Sequence, residues 1–78
     1  MSKRGTFRFC GTTFRITDST RWAHDLGAAA KDAGRIRFPG GDALLMAKTK
    51  EPGEDACALM AAWLMGYDSR VVADLMSI

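Results

Sequence analysis

Histidine and cysteine are scarce in this 78-residue chain, which has one histidine and two cysteines. His24 has no second imidazole with which to share a metal ion, and Cys10 and Cys57 lack the spacing of a metal-binding pair. Two cysteines do not make a disulfide framework, so we expect buried, free thiols in a reducing compartment. The scattered acidic residues are typical of a solvated surface and of helix starts. The sequence therefore predicts a non-enzymatic protein without metal or cofactor.

A long apolar run is also missing. The longest segment without a polar side chain, Ala56–Met65, would make a helix of about 15 Å, half the hydrocarbon thickness of a bilayer. Lys3 and Arg4 resemble the start of a signal peptide, but no apolar run of the needed length follows them. We therefore expect a cytoplasmic protein. A ten-residue helix that is apolar all round must be covered by its own chain or by a second copy.

Charge is unevenly distributed along what we expect to be a single domain, residues 1–78. The first 37 residues carry eight Lys/Arg and three Asp, a net +5, whereas residues 38–78 carry three basic and six acidic residues, a net −3. The two sums give the overall charge of +2, which is too small to indicate a partner by itself. The uneven distribution instead indicates two candidate contact surfaces, the basic first half or the acidic C-terminal half.

The first half begins with a period-two pattern. Phe7-Arg8-Phe9 and Phe14-Arg15-Ile16 alternate apolar and basic residues on either side of Gly11, which predicts a β-hairpin. One face would carry the two arginines and the other would face the core. The predicted core-facing residues are Phe7, Phe9, Phe14 and Ile16.

A helix is predicted over 21–33, because Asp18-Ser19-Thr20 is a cluster of N-cap residues and Gly34 is a good stop signal. Its predicted apolar stripe consists of Trp22, Leu26, Ala29, Ala30 and Ala33.

Two further strands are predicted in the middle of the chain. Residues 35–38 repeat the alternation of the hairpin, and Pro39-Gly40-Gly41-Asp42 has turn chemistry. Ala43–Lys48 is ambiguous: its composition favours a helix, while its short length and the preceding turn favour a strand. We take it as a returning strand.

The last third is predicted to contain two helices. The apolar helix would end at Gly66, and a second helix would run from Arg70 to about Ser77. The predicted order is therefore ββαββαα. It defines an α+β fold in which helices pack on one face of a small antiparallel sheet of three or four strands.

Arginines on the predicted sheet are the main candidate binding site. If the apolar residues of the strands share one face, four arginines emerge on the other, where they could grip phosphates or a carboxylate-rich surface. Alternatively, the four arginines bind nothing and only make the outer face of the sheet polar, as any face open to solvent must be. The four are Arg8, Arg15, Arg35 and Arg37, with Lys3, Arg4 and Arg21 as a possible extension.

The C-terminal third resembles a helix-turn-helix over residues 61–75. Four residues fall where that family places a small residue, a turn glycine and two buried apolar residues: Ala62, Gly66, Val72 and Leu75. The resemblance implies a DNA-binding regulator whose second helix, carrying Arg70, enters the major groove. The alternative is an ordinary helical hairpin, because Ser69, Arg70 and Asp74 form a nearly neutral set.

The same helices offer a candidate interface for a homodimer or another partner. Apolar side chains, and methionine in particular, are common in protein–protein interfaces. The candidates are Met60, Trp63, Leu64 and Met76.

In size and in its lack of a catalytic constellation, the chain resembles the small inhibitors that phages and mobile elements encode, of which anti-CRISPR proteins are one group. The resemblance is to a class and involves no shared motif, so it carries over no residue. It implies a stoichiometric binder that occludes a surface of a nucleic-acid-handling effector complex. We therefore expect a protein partner, with nucleic acid and a second copy as further possibilities and no membrane.

Overall fold

The computed structural model describes residues 5–76, which form a hairpin and three helices. A 3-10 turn, Pro39–Gly41, precedes the second helix. The strands are β1 (Thr6–Phe9) and β2 (Thr12–Arg15), and the helices are α1 (Asp18–Asp32), α2 (Ala43–Thr49) and α3 (Ala56–Met76).

The hairpin has the predicted faces. Phe7 lies opposite Phe14 in the antiparallel register, and their ring centroids are 5.4 Å apart. All four residues predicted to face the core are half-buried, and both arginines are exposed. Cys10 and Gly11 form the two-residue turn with φ angles of 52° and 79°, the left-handed pair that matches the twist of the strands. The predicted aromatic face is therefore confirmed.

Helix α1 begins and ends on local signals. Thr17 is its N-cap: the Thr17 hydroxyl accepts from the Thr20 backbone N–H, and the Thr20 hydroxyl accepts from the Thr17 N–H. At the other end Gly34 has a φ of 79°, and the Arg35 N–H donates back to the Ala30 carbonyl. The predicted stop is confirmed, and the helix starts three residues earlier than predicted.

The sheet prediction is wrong. Within residues 5–76 the sheet has only two strands, and the element order is ββααα rather than ββαββαα. Residues 35–38 form an irregular connection, and Ala43–Thr49 is a helix. The side chain of Asp42 explains the helix, since its Oδ1 atom accepts from the N–H groups of Leu44 at 3.1 Å and Leu45 at 3.2 Å. Asp42, which was predicted to lie in a turn, is therefore an N-cap, and the residues that follow it are good helix formers.

The predicted break at Gly66 is also wrong, because α3 runs without interruption from Ala56 to Met76. Up to Met76, where the description of the chain ends, there is no separate last helix and no turn of the kind on which the resemblance to a helix-turn-helix depends. Although α3 is long, none of the helices in the described residues is both long and apolar enough to cross a bilayer.

Glycine is needed at position 66 for packing. Helices α1 and α3 run in the same direction, since Ser19 contacts Glu54 near their starts and Asp32 pairs with Arg70 near their ends. A Cβ atom added at Gly66 would lie 1.9 Å from the His24 carbonyl oxygen, and one added at Gly27 would lie 1.9 Å from the Trp63 carbonyl oxygen. The two backbones therefore touch through a reciprocal pair of glycines.

The core forms around this crossing. The buried face of α1 consists of Thr20, Ala23, Gly27 and Ala30, so the predicted stripe is wrong in part, and Trp22 lies at the surface. Residues of α2 and α3 complete the core, with Phe7 of the hairpin packed against it. The chain itself thus covers most of the apolar segment of α3. The buried cluster comprises Ala23, Ala30, Leu45, Leu59, Ala62, Trp63 and Tyr67.

Candidate binding surface

The outer face of the hairpin carries two arginines and two threonines. Thr13 lies opposite Arg8, and Thr6 lies opposite Arg15 in the strand register. All four side chains are exposed. This surface, which we call the arginine face, therefore presents guanidinium and hydroxyl donors side by side. Extending the alternation by one residue beyond each predicted strand would have identified the threonines.

Packing of the opposite side fixes which way the arginines point. Phe7 packs against the core, and Phe7 and Ile16 border a cleft of about 500 Å³ whose far wall includes Ala62 and Met65 of α3. A one-residue slip in register would turn the arginines toward this apolar cleft. Complete burial of a phenylalanine is worth roughly 1.5–3 kcal/mol, and Phe7 is half-buried, so a part of this free energy favours the arrangement with the arginines outward.

The two arginines of the arginine face are not engaged in salt bridges within the described residues. Residues 1–17 carry four basic residues and no acidic one. Glu54 and Asp55 border a groove that Arg15 also lines, so two carboxylates lie near the Arg15 end of the face.

The other predicted arginines have different roles. Arg35 and Arg37 lie in the irregular connection after α1, so they do not extend the face of a sheet. Arg37 donates from Nε and Nη2 to the two carboxylate oxygens of Asp68, at 2.7 and 2.8 Å. The backbone carbonyl of Arg35 accepts from the Tyr67 hydroxyl, while its side chain is exposed. The connection is thereby tied to α3.

The possible extension of the basic set is only partly described. Arg21 is exposed on α1 and borders the same cleft as Phe7. Lys3 and Arg4 lie outside the described residues. The structure therefore brings together Arg8 and Arg15 from the predicted set of four.

The Arg37–Asp68 pair predicts a specific pH response. Hydrogen bonds from Arg37 lower the pKa of Asp68, and the Asp68 carboxylate raises the pKa of Arg37. A carboxylate whose pKa is lower in the folded state stabilises the fold above its unfolded-state pKa, and this contribution is lost as the pH falls through the folded-state pKa. Both side chains are about half-exposed, so we expect less than about 1 kcal/mol from the pair.

An NMR titration of the Asp68 carboxyl carbon checks this prediction. The midpoint should lie below the usual range for aspartate and should return to that range in Arg37→Gln. An unshifted midpoint in the native chain would contradict the bidentate pair.

The candidate partner helix presents a mixed set of side chains. Trp63 is 1% exposed, and its indole N–H donates to Oδ2 of Asp42 at 2.9 Å, so it is a core residue and not a contact residue. Met60 and Leu64 are half-buried against the core, whereas Met76 is 80% exposed. Sequence reasoning missed the Asp42–Trp63 bond, because nothing local connects residues 21 positions apart.

The cysteines and the histidine do not converge on the cleft. Both thiols are exposed, so the prediction that they are buried is wrong. His24 borders the cleft together with Asp25, but neither cysteine is among its lining residues. Over residues 5–76 there is no group of three or more His, Cys, Asp or Glu side chains placed to hold a metal ion.

Comparisons with known proteins give no further guidance: the chain matches no protein-family model, no curated protein and no solved structure. The functional interpretation therefore depends on the arginine face and on the physical chemistry of the fold.

Proposed function

We propose that this is a non-enzymatic binding protein, an inhibitor of the anti-CRISPR type that occludes a surface of a nucleic-acid-handling effector complex. The observation that carries the proposal is the arginine face: two guanidinium groups, without an ion pair among the described residues, on a hairpin whose Phe7 packs against the core from the other side. Guanidinium groups bind carboxylates and phosphates through paired, charge-assisted hydrogen bonds.

The contrast among the basic residues supports this assignment. Arg37, Arg70 and Lys48 each pair with a carboxylate of the same chain, and these pairs tie together the segments that surround α3. Arg8 and Arg15 make no such pair among the described residues. Arg21, Arg35 and Lys50 make none either, so what distinguishes Arg8 and Arg15 is that they share one face of the hairpin. In this proposal the protein acts in the cytoplasm, where the exposed thiols of Cys10 and Cys57 stay reduced.

Phage plating tests the proposal. The chain is expressed in a panel of bacterial strains, each of which restricts a phage with one type of CRISPR effector complex. We expect the plating efficiency of the phage to rise by at least about a hundredfold in one strain, which corresponds to nearly full occupancy of the effector by a tight inhibitor. No rise in any strain would contradict the proposal, provided that the protein accumulates in folded form.

A further inference from the structure

The arginine face has the shape of a two-stranded ribbon with one polar side. Neighbouring strands lie about 4.8 Å apart, and the major groove of B-form DNA is about 12 Å wide, enough to admit such a ribbon with its side chains. We propose that the arginine face binds the major groove of duplex DNA. The proposal rests on the proposed function, since it names duplex DNA, handled by the effector complex, as the anionic component that the arginine face contacts when the inhibitor occludes that complex.

The residue types of the face match those that duplex DNA accepts. Arginine donates in pairs to guanine O6 and N7 or to phosphate oxygens, and threonine hydroxyls bind either bases or phosphates. Arg8 and Arg15 lie on different strands, each opposite a threonine. Each guanidinium group therefore has a hydroxyl beside it, and the face can contact both walls of the groove.

Single-stranded nucleic acid fits the face poorly. Binding of unpaired bases depends on aromatic rings against which the bases stack. The hairpin has three phenylalanines, but all of them lie on the opposite side, where Phe7 and Phe14 pack against each other. The exposed side has only threonine and arginine, so the face favours a duplex.

Charge supports the same partner and indicates how it approaches. Residues 1–17 contain four basic residues and no acidic one, which favours an anionic partner for this segment. Glu54 and Asp55 lie near Arg15 and repel phosphates there. The duplex therefore approaches from the Arg8 end, away from those two carboxylates.

Fluorescence anisotropy with three probes tests the proposal: a labelled DNA duplex of about 20 base pairs, one of its single strands, and the RNA duplex of the same sequence. The full chain should bind the DNA duplex at least tenfold more tightly than either of the others. RNA is the sharpest comparison, because the major groove of an A-form helix is too narrow and deep for a ribbon.

Salt dependence and a matched pair of variants locate the contact. Each phosphate contact contributes about 0.9 to the slope of log affinity against log salt, so Arg8→Gln with Arg15→Gln should weaken the slope by up to about 1.8. The control, Arg35→Gln with Lys50→Gln, removes the same charge at two exposed positions outside the hairpin. Affinity for the duplex should fall at least tenfold in the hairpin variant and less than threefold in the control.

Three results would overturn the proposal: no binding of the DNA duplex in about 50 mM salt, equal binding of the RNA duplex, or equal losses in the two variants. The failure of this inference is distinguishable from the failure of the proposed function. A chain that raises phage plating but does not bind duplex DNA would retain its role as an inhibitor and would contact an acidic protein surface instead.

Discussion

Replacing Gly66 with alanine is expected to lower the free energy of unfolding by about 3 kcal/mol, the upper end of the usual range for overpacking a close contact. The added Cβ atom would lie 1.9 Å from the backbone carbonyl oxygen of His24, which cannot rotate away as a side chain would. Helices α1 and α3 would have to separate, and the alanines packed around the crossing would lose their contacts. The expected sign is opposite to that of an exposed helix, where alanine is more stable than glycine by about 1 kcal/mol.

Urea denaturation followed by circular dichroism measures this effect. Gly5→Ala is a matched control, because a Cβ atom at Gly5 would meet nothing within 4 Å. Gly27→Ala should behave like Gly66→Ala, since it introduces the reciprocal clash with the Trp63 carbonyl oxygen at 1.9 Å. A stability of Gly66→Ala equal to or above that of the native chain would show that the two helices do not cross at these glycines.

Replacing Asp42 with alanine is expected to be about as damaging, with a loss of about 2–4 kcal/mol from two causes. The first is loss of the cap of α2, where Oδ1 accepts from the N–H groups of Leu44 and Leu45. The second is an unpaired indole N–H, because Trp63 is 1% exposed and donates to Oδ2 of Asp42 at 2.9 Å. A buried donor that loses its acceptor retains the cost of its desolvation.

Asp55→Ala separates the two causes. The Asp55 carboxylate accepts a hydrogen bond from the Ala58 N–H at the start of α3, and its side chain is exposed. We expect this variant to lose about 1 kcal/mol, the ordinary value for an N-cap. A double-mutant cycle with Trp63→Phe should then show coupling between positions 42 and 63. Equal losses in Asp42→Ala and Asp55→Ala, without coupling, would contradict the buried bond.

The hairpin and α1 were predictable because their signals are local. Alternating residues around Gly11 place the phenylalanines on one face regardless of what covers them, and Gly34 ends α1 through its own left-handed conformation. The alternation also predicted that Arg8 and Arg15 lie on the outer face of the hairpin if the phenylalanines face the core. The sequence left the register open, and the two-residue turn of the structure fixes it.

Gly66 was misinterpreted because the meaning of a glycine depends on its surroundings. Glycine is enriched just after helix ends, which makes a break the natural prediction for an apolar helix followed by Gly66. The actual reason for glycine at position 66 is the backbone carbonyl oxygen of His24, 42 positions earlier and on another helix, which leaves no room for a side chain. No pattern in a single sequence connects His24 with Gly66.

Asp42 and Arg37 show the same limitation for polar residues. Aspartate after two glycines is as typical of a turn as of an N-cap. Only the helix that follows Asp42, α2, shows that it is an N-cap. Arg37 repeats the alternation of the hairpin arginines, but Asp68, 31 residues later, holds it by two hydrogen bonds. The predicted set of four arginines therefore combined two hairpin residues with two residues of a connecting segment.

Charge reversal on the arginine face tests the functional account most directly, with phage plating as the readout. Arg8→Glu with Arg15→Glu is compared with Arg35→Glu and Lys50→Glu, which changes the net charge equally at exposed positions outside the hairpin. The account predicts that plating efficiency falls to the level of cells without the protein for the hairpin variant and stays near the native level for the control. A hairpin variant that is folded and fully active would contradict the account.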